Sequence, residues 1–145
     1  MPVNQATQQR ILQVVNHPLH RHLGMTGARS ENGRGSFVFS VGDATVNPAG
    51  ALHGGVVYLL CDVCAYLGLL SILPEDQEAV THDIHVSMLR GAARGDQVKI
   101  ESHILKKGQN LCFLDVEATT KGERIATARI TKSLIKRKGR HDPKA

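Results

Sequence analysis

Residues 44–74 carry a single formally charged side chain, Asp62, in a run otherwise dominated by Leu, Val, Gly and Ala. On a helical wheel, apolar residues fall on nearly every side over residues 52–73, so the segment reads as one long helix buried around its circumference. Pro74 and the acidic loop after it close the element. The run approaches the roughly 20 residues of a membrane span. A carboxylate at the centre of such a span costs about 3 kcal/mol, however, and the rest of the chain offers strands and no second span. The segment is therefore expected to be the central helix of a globular domain, with no membrane contact.

The flanking sequence supplies the other layer. Residues 4–15 form a short helical candidate with Ile11, Leu12, Val14 and Val15 as its apolar side, and Pro18 ends it, leaving residues 17–22 as a loop or single turn. Residues 24–30 and 35–41 read as two strands around Glu31-Asn32-Gly33-Arg34, where Asn-Gly is a strong hairpin signal. After the central helix, residues 80–89, 97–105, 111–119 and 125–135 are strand candidates separated by short turns. In the first of these, Val80, His82, Ile84, Val86 and Met88 alternate against Thr81, Asp83, His85 and Ser87. Short connections imply antiparallel pairing. The expected fold is α+β: one long buried helix wrapped by a curved antiparallel sheet of about six strands. It occupies residues 1–135 as a single domain, followed by a basic, solvated tail at 136–145.

One helix cannot cover both faces of such a sheet, so apolar surface or an open edge strand is expected to be hidden by a second copy of the chain.

Composition removes several function classes. The net charge is +5, but residues 136–145 hold five cations against Asp142, a net +4, which leaves only +1 for residues 1–135. With three Phe, two Tyr and no Trp there is little to stack on bases, so no nucleic acid is expected as a partner. Met1-Pro2-Val3-Asn4-Gln5 lacks the basic and apolar regions of a secretory signal, and an odd count of three cysteines fits reduced thiols in the cytoplasm. Cys61-Asp62-Val63-Cys64 imitates a redox motif but falls in mid-helix, away from the helix N-terminus that activates a thiol, so two packing thiols are expected. His17, His20 and His22 lack a carboxylate or Cys to complete a metal set, and neither metal nor cofactor is expected.

Chemistry concentrates where the apolar run opens, in Asn47-Pro48-Ala49-Gly50-Ala51-Leu52-His53-Gly54-Gly55. Unsatisfied N–H groups at a helix start, together with the helix dipole, favour developing negative charge. A carboxylate inside an apolar segment is costly unless paired, neutralised or used. Asp62 and the Gly54-Gly55 amides are thus two halves of a hydrolytic centre. Asp62 follows His53 by nine residues, which at 100° per residue puts the two on opposite sides of the helix. The halves are expected to meet across two helices lying side by side in a symmetric dimer. Each residue also has a plainer reading: His53 as a cap, Gly54 and Gly55 as packing glycines, Asn47 as a turn residue. Asp62 is the hardest to explain structurally.

This pattern resembles the hotdog-fold acyl-CoA thioesterases of the phenylacetate-pathway type within the 4-hydroxybenzoyl-CoA thioesterase group. The motif from Asn47 to Gly55, Asp62 nine positions after the histidine, and Met88-Leu89-Arg90-Gly91-Ala92-Ala93-Arg94-Gly95-Asp96 carry the resemblance. It implies an acyl-CoA substrate, with Asp62 as general base or nucleophile and the Gly54 amide polarising the thioester oxygen. It further implies that Asn47 orients the carbonyl or water from the partner subunit and that the Thr81 hydroxyl positions the attacking water. Arg90 and Arg94, with Lys106 and Lys107 behind them, become the candidates for coenzyme A phosphates. The resemblance also implies a homodimer, paired into a tetramer. A thioester releases a thiol of pKa near 8.5, so water activation and oxyanion stabilisation suffice and no Ser-His-Asp triad is needed. The alternatives are a non-catalytic acyl-CoA-binding or regulatory hotdog domain and a hotdog hydratase, which needs a different His/Asp arrangement.

Overall fold

The computed structural model describes residues 3–138. Asn4 caps the first helix, α1 (Gln5–Val15), by accepting from the Thr7 amide, and α1 turns Ile11 and Val14 into the core. The single turn expected near Pro18 is a five-residue helix, α2 (Pro18–His22), capped by the His17 ring. Strands β1 (Met25–Glu31) and β2 (Arg34–Ser40) form the expected hairpin. Asn32 and Gly33 both take positive φ, 50° and 76°, which explains the Asn-Gly step at the turn. The central helix, α3 (Gly54–Leu70), is followed by β3 (Gln77–Met88), β4 (Gln97–Lys107), β5 (Leu111–Thr120) and β6 (Glu123–Lys136).

All pairings are antiparallel, in the order β1-β2-β4-β5-β6-β3, and α3 touches every strand, so the sheet wraps around it. The α+β architecture is as expected, with differences at the margins. The helix is shorter at both ends than 52–73: Leu52 bridges to Val46, and Ala51 before it to Ala93, while Ser71 caps the helix after Leu70. Lys136, expected in the tail, pairs with Gln77 as the last residue of β6; residues 139–145 lie outside the described residues.

Helix and sheet meet most closely at two glycines. A Cβ on Gly35 would stand 2.6 Å from the Cys64 carbonyl oxygen, and one on Gly68 would stand 2.6 Å from the Gly35 nitrogen. Backbone therefore packs directly on backbone there. Buried Ser102 bridges the contact, donating to the Cys64 carbonyl at 2.8 Å and accepting from the Gly35 amide at 3.2 Å.

One expectation about covering, the all-round burial of the helix, is revised, and the other, apolar surface or an open edge strand, is narrowed. The helix is not buried all round: Gly55, Tyr58, Leu59, Asp62, Val63 and Tyr66 form one partly exposed stripe along it. The outer face of the sheet is not apolar: His85, Arg129, Asp115, His103, Arg34 and Glu31 are register partners in one charged row across all six strands. Among the described residues, what is left open includes the helix stripe and the free edge of β3, one of the sheet's two edge strands beside β1.

Candidate active site

Asp62 stands on the partly exposed stripe with its side chain 30% exposed, not enclosed in the apolar surroundings expected for it. Its carboxylate accepts from the Thr81 hydroxyl at 2.8 and 3.0 Å and from the Lys132 ammonium at 2.6 Å. Thr81 reaches it because of a bulge. Simple alternation puts Thr81 with Asp83 and His85 on the outer face, but the β3–β6 register skips His82: Thr81 pairs with Lys132, and Asp83 with Thr131. The extra residue turns Thr81 towards the helix and leaves Val80 43% exposed.

Lys132 escaped the sequence reading, although a signal was present. In β6, Ala126, Ala128, Ile130, Lys132 and Leu134 share the buried face, so a lysine stands where the period of two demands an apolar residue. Its side chain is 3% exposed and its ammonium lies 5.9 Å from the centre of the Tyr66 ring. Behind it, Tyr66 donates to Glu78 at 2.9 Å and Glu78 pairs with buried Arg10 at 3.0 Å. Burial, then the Glu78 carboxylate, pushes the Tyr66 phenol upwards.

The residues at the start of α3 divide by what their backbone and side chains already do. The Asn47 side-chain oxygen accepts from the Ala49 and Ala51 amides at 3.0 and 3.1 Å, folding its own loop. The His53 ring caps the helix, accepting from the Gly55 amide at 2.9 Å. The Val56 and Val57 amides turn back to the His53 carbonyl. The Gly54 amide meets no acceptor among the described residues, and a Cβ there would meet nothing within 4 Å. Of the two glycines, Gly54 is the one whose amide meets no acceptor among the described residues. The eight residue steps from Gly54 to Asp62 advance about 12 Å along the helix axis, so one carbonyl group cannot touch both within a chain.

The basic candidates are split. Arg94 pairs with Asp43 at 3.0 Å and Arg90 with Glu123, all largely exposed. Arg94 follows the Ala51–Ala93 bridge and so lies near the start of α3. Lys106 and Lys107 end the 11-residue strand β4, about 30 Å away from Arg94 along the chain. The three cysteines are free and buried, and burial pushes Cys61 and Cys64 up to about 12, which removes any redox reading of the Cys61–Cys64 spacing. The His20 ring is tied to the Val14 carbonyl at 2.8 Å. No helix among the described residues is long and apolar enough to cross a membrane.

Residues 49–127, more than half of the chain, match the Thioesterase superfamily, and the chain belongs to it. It is 34% identical over 90 residues to mouse acyl-coenzyme A thioesterase 13, covering 61% of this chain and 64% of that protein, less than two thirds of the relative's length. Among solved structures, a thioesterase from Haemophilus influenzae superposes with TM-score 0.81 at 24% identity, covering 92% of this chain and 93% of that one. A variant of the phenylacetic acid degradation protein PaaI from Thermus thermophilus superposes with TM-score 0.74 at 21% identity, covering 80% and 97%. The fold is the hotdog fold.

Proposed function

We propose that this protein hydrolyses acyl-CoA thioesters to the free acid and coenzyme A. The observation that carries the reading is the Asp62 carboxylate, half-open on α3 and held by Thr81 and Lys132. Membership of the Thioesterase superfamily and the likeness to an acyl-coenzyme A thioesterase support the substrate class. Asp62 takes the proton of a water that attacks the thioester carbon; as a nucleophile it would attack that carbon itself. The Gly54 amide, with the Asn47 side-chain NH₂, receives the oxyanion, since Asn47 spends its oxygen on its own loop and keeps its donors. The intermediate collapses with C–S cleavage and coenzyme A leaves as thiolate. His53 acts as the cap that presents Gly54, and Gly55 as the amide that anchors His53.

The axial separation of Gly54 and Asp62 supports a site shared between two copies, joined along the helix stripe and the free edge of β3 and paired again as a dimer of dimers. Arg90 and Arg94 meet the nucleotide phosphates from the helix-start end; Lys106 and Lys107 join them only from another subunit. The three free buried thiols fit a cytoplasmic setting. Residues 1–135, extended by Lys136, make one catalytic domain.

The test is thiol release from a panel of short, long and aromatic acyl-CoAs. Turnover of at least one class, lost in Asp62→Asn, is expected. Tight acyl-CoA binding with no release from any of them would instead make the domain a binding module.

A further inference from the structure

We propose that Lys132 is a positioning residue of the hydrolytic site: it occupies one oxygen of Asp62, leaves the other to react, and fixes the direction of the Thr81 hydroxyl. The inference rests on the thioesterase reading above. The donor and acceptor count at the cluster is definite. The Lys132 ammonium has only donors; it gives one to Asp62 Oδ1 at 2.6 Å and one to Thr81 Oγ1 at 2.9 Å. Because Thr81 accepts from Lys132, its single proton points at Asp62, 2.8 Å from Oδ1 and 3.0 Å from Oδ2. Oδ1 is thus doubly engaged, while Oδ2 keeps only the longer contact. One lone pair of Thr81 also stays open. A water bridging Asp62 Oδ2 and that lone pair donates both its protons and directs its own lone pairs away from the cluster, the arrangement a hydrolytic water requires.

Burial argues that the lysine serves this purpose and not surface charge. Its side chain is 3% exposed, against 30% for Asp62. An apolar residue of similar length would pack such a site at no loss, and often with a gain, of stability.

The experiment uses Lys132→Ala, which removes the equivalent of one n-propylammonium ion. Expected is a fall in kcat of about 100-fold, with little change in KM and partial recovery when n-propylammonium, but not 1-propanol, is added to the assay. Equal recovery by both additives would reveal a packing role and overturn the proposal, as would an unchanged kcat or a loss confined to KM. Lys132→Met, which keeps the volume, carries the same kcat expectation if the alanine variant fails to fold. A second readout needs no activity: in a crystal structure of either variant, Asp62 should leave Thr81. If both contacts persist near 2.8 and 3.0 Å, the proposal falls. Absence of turnover by the wild-type protein on every acyl-CoA would sink the thioesterase reading alone, with the crystal structure still deciding the role of Lys132.

Discussion

On the side of α3 that meets β2, helix and strand backbones approach directly, bridged by the Ser102 hydroxyl, and Gly68 faces Gly35 at a distance no Cβ tolerates. On the other side, Tyr58, Asp62 and Tyr66 stand partly exposed, and polar contacts tie Asp62 to Thr81 of β3 and Lys132 of β6 and Tyr66 to Glu78 of β3. One helix thus divides its tasks by face. The glycine face sets the helix-to-sheet distance for the whole domain, and the open face holds a carboxylate where a ligand or a second chain can reach it. Stability should respond mainly to the first face and turnover to the second.

The largest break of that contrast is Gly68→Val. Its branched side chain has no room against the β2 backbone, and chemical denaturation should show a loss of about 3 kcal/mol; wild-type stability would contradict the close-contact account. Asp62→Asn probes the opposite face. Hydrolysis should fall about 10²- to 10⁴-fold. Asn retains an oxygen to accept from Lys132 but no charge, so stability should drop by about 1–3 kcal/mol because a buried ammonium loses its counter-ion. Folded Asp62→Asn with near-normal kcat removes Asp62 from the chemistry.

Smaller effects sharpen the picture at the rim. Arg90→Ala and Arg94→Ala break only exposed pairs, so stability should stay within about 0.5 kcal/mol, while KM for acyl-CoA rises about threefold at low salt and less at high salt. An unchanged KM at low salt excludes them from phosphate binding. Smallest is the response of the thiols. With Cys61 and Cys64 pushed up to about 12 by burial, neither should react with a thiol reagent at neutral pH until the protein unfolds. Their folded values lie above the unfolded ones, so their contribution to stability is complete below about pH 9 and is lost as pH rises towards 12. Rapid labelling of folded protein would contradict their burial.

Much of this was legible in the residues. The long apolar run located α3, the Asn-Gly turn located the first hairpin, and the four later strands followed from their spacing. Three features were not, each for a physical reason. Thr81 was assigned to the polar face by alternation, and only the bulge at His82, a tertiary accommodation, turns it inward. The full burial expected for α3 failed because hydrophobicity alone does not separate a face packed within the chain from a face left for another. Lys106 and Lys107 were grouped with Arg90 and Arg94 by charge, and the length of β4 keeps them apart. Lys132 could have been found, since a lysine between Ile130 and Leu134 breaks the apolar period of β6.

The central claim is that Asp62 on the open stripe works with Gly54 and Asn47 of a second copy. The most direct measurement mixes two inactive variants. Asp62→Asn removes the base; Asn47→Asp keeps the oxygen that folds the Asn47 loop but removes the NH₂ donors. After the two are unfolded together and refolded, half of the dimers are mixed, and each mixed dimer holds one site with both defects and one with neither. About a quarter of the sites should therefore recover hydrolysis. Confirmed exchange of subunits with no recovered turnover would mean that Asp62 and Asn47 act within a single chain, and the shared site would be wrong.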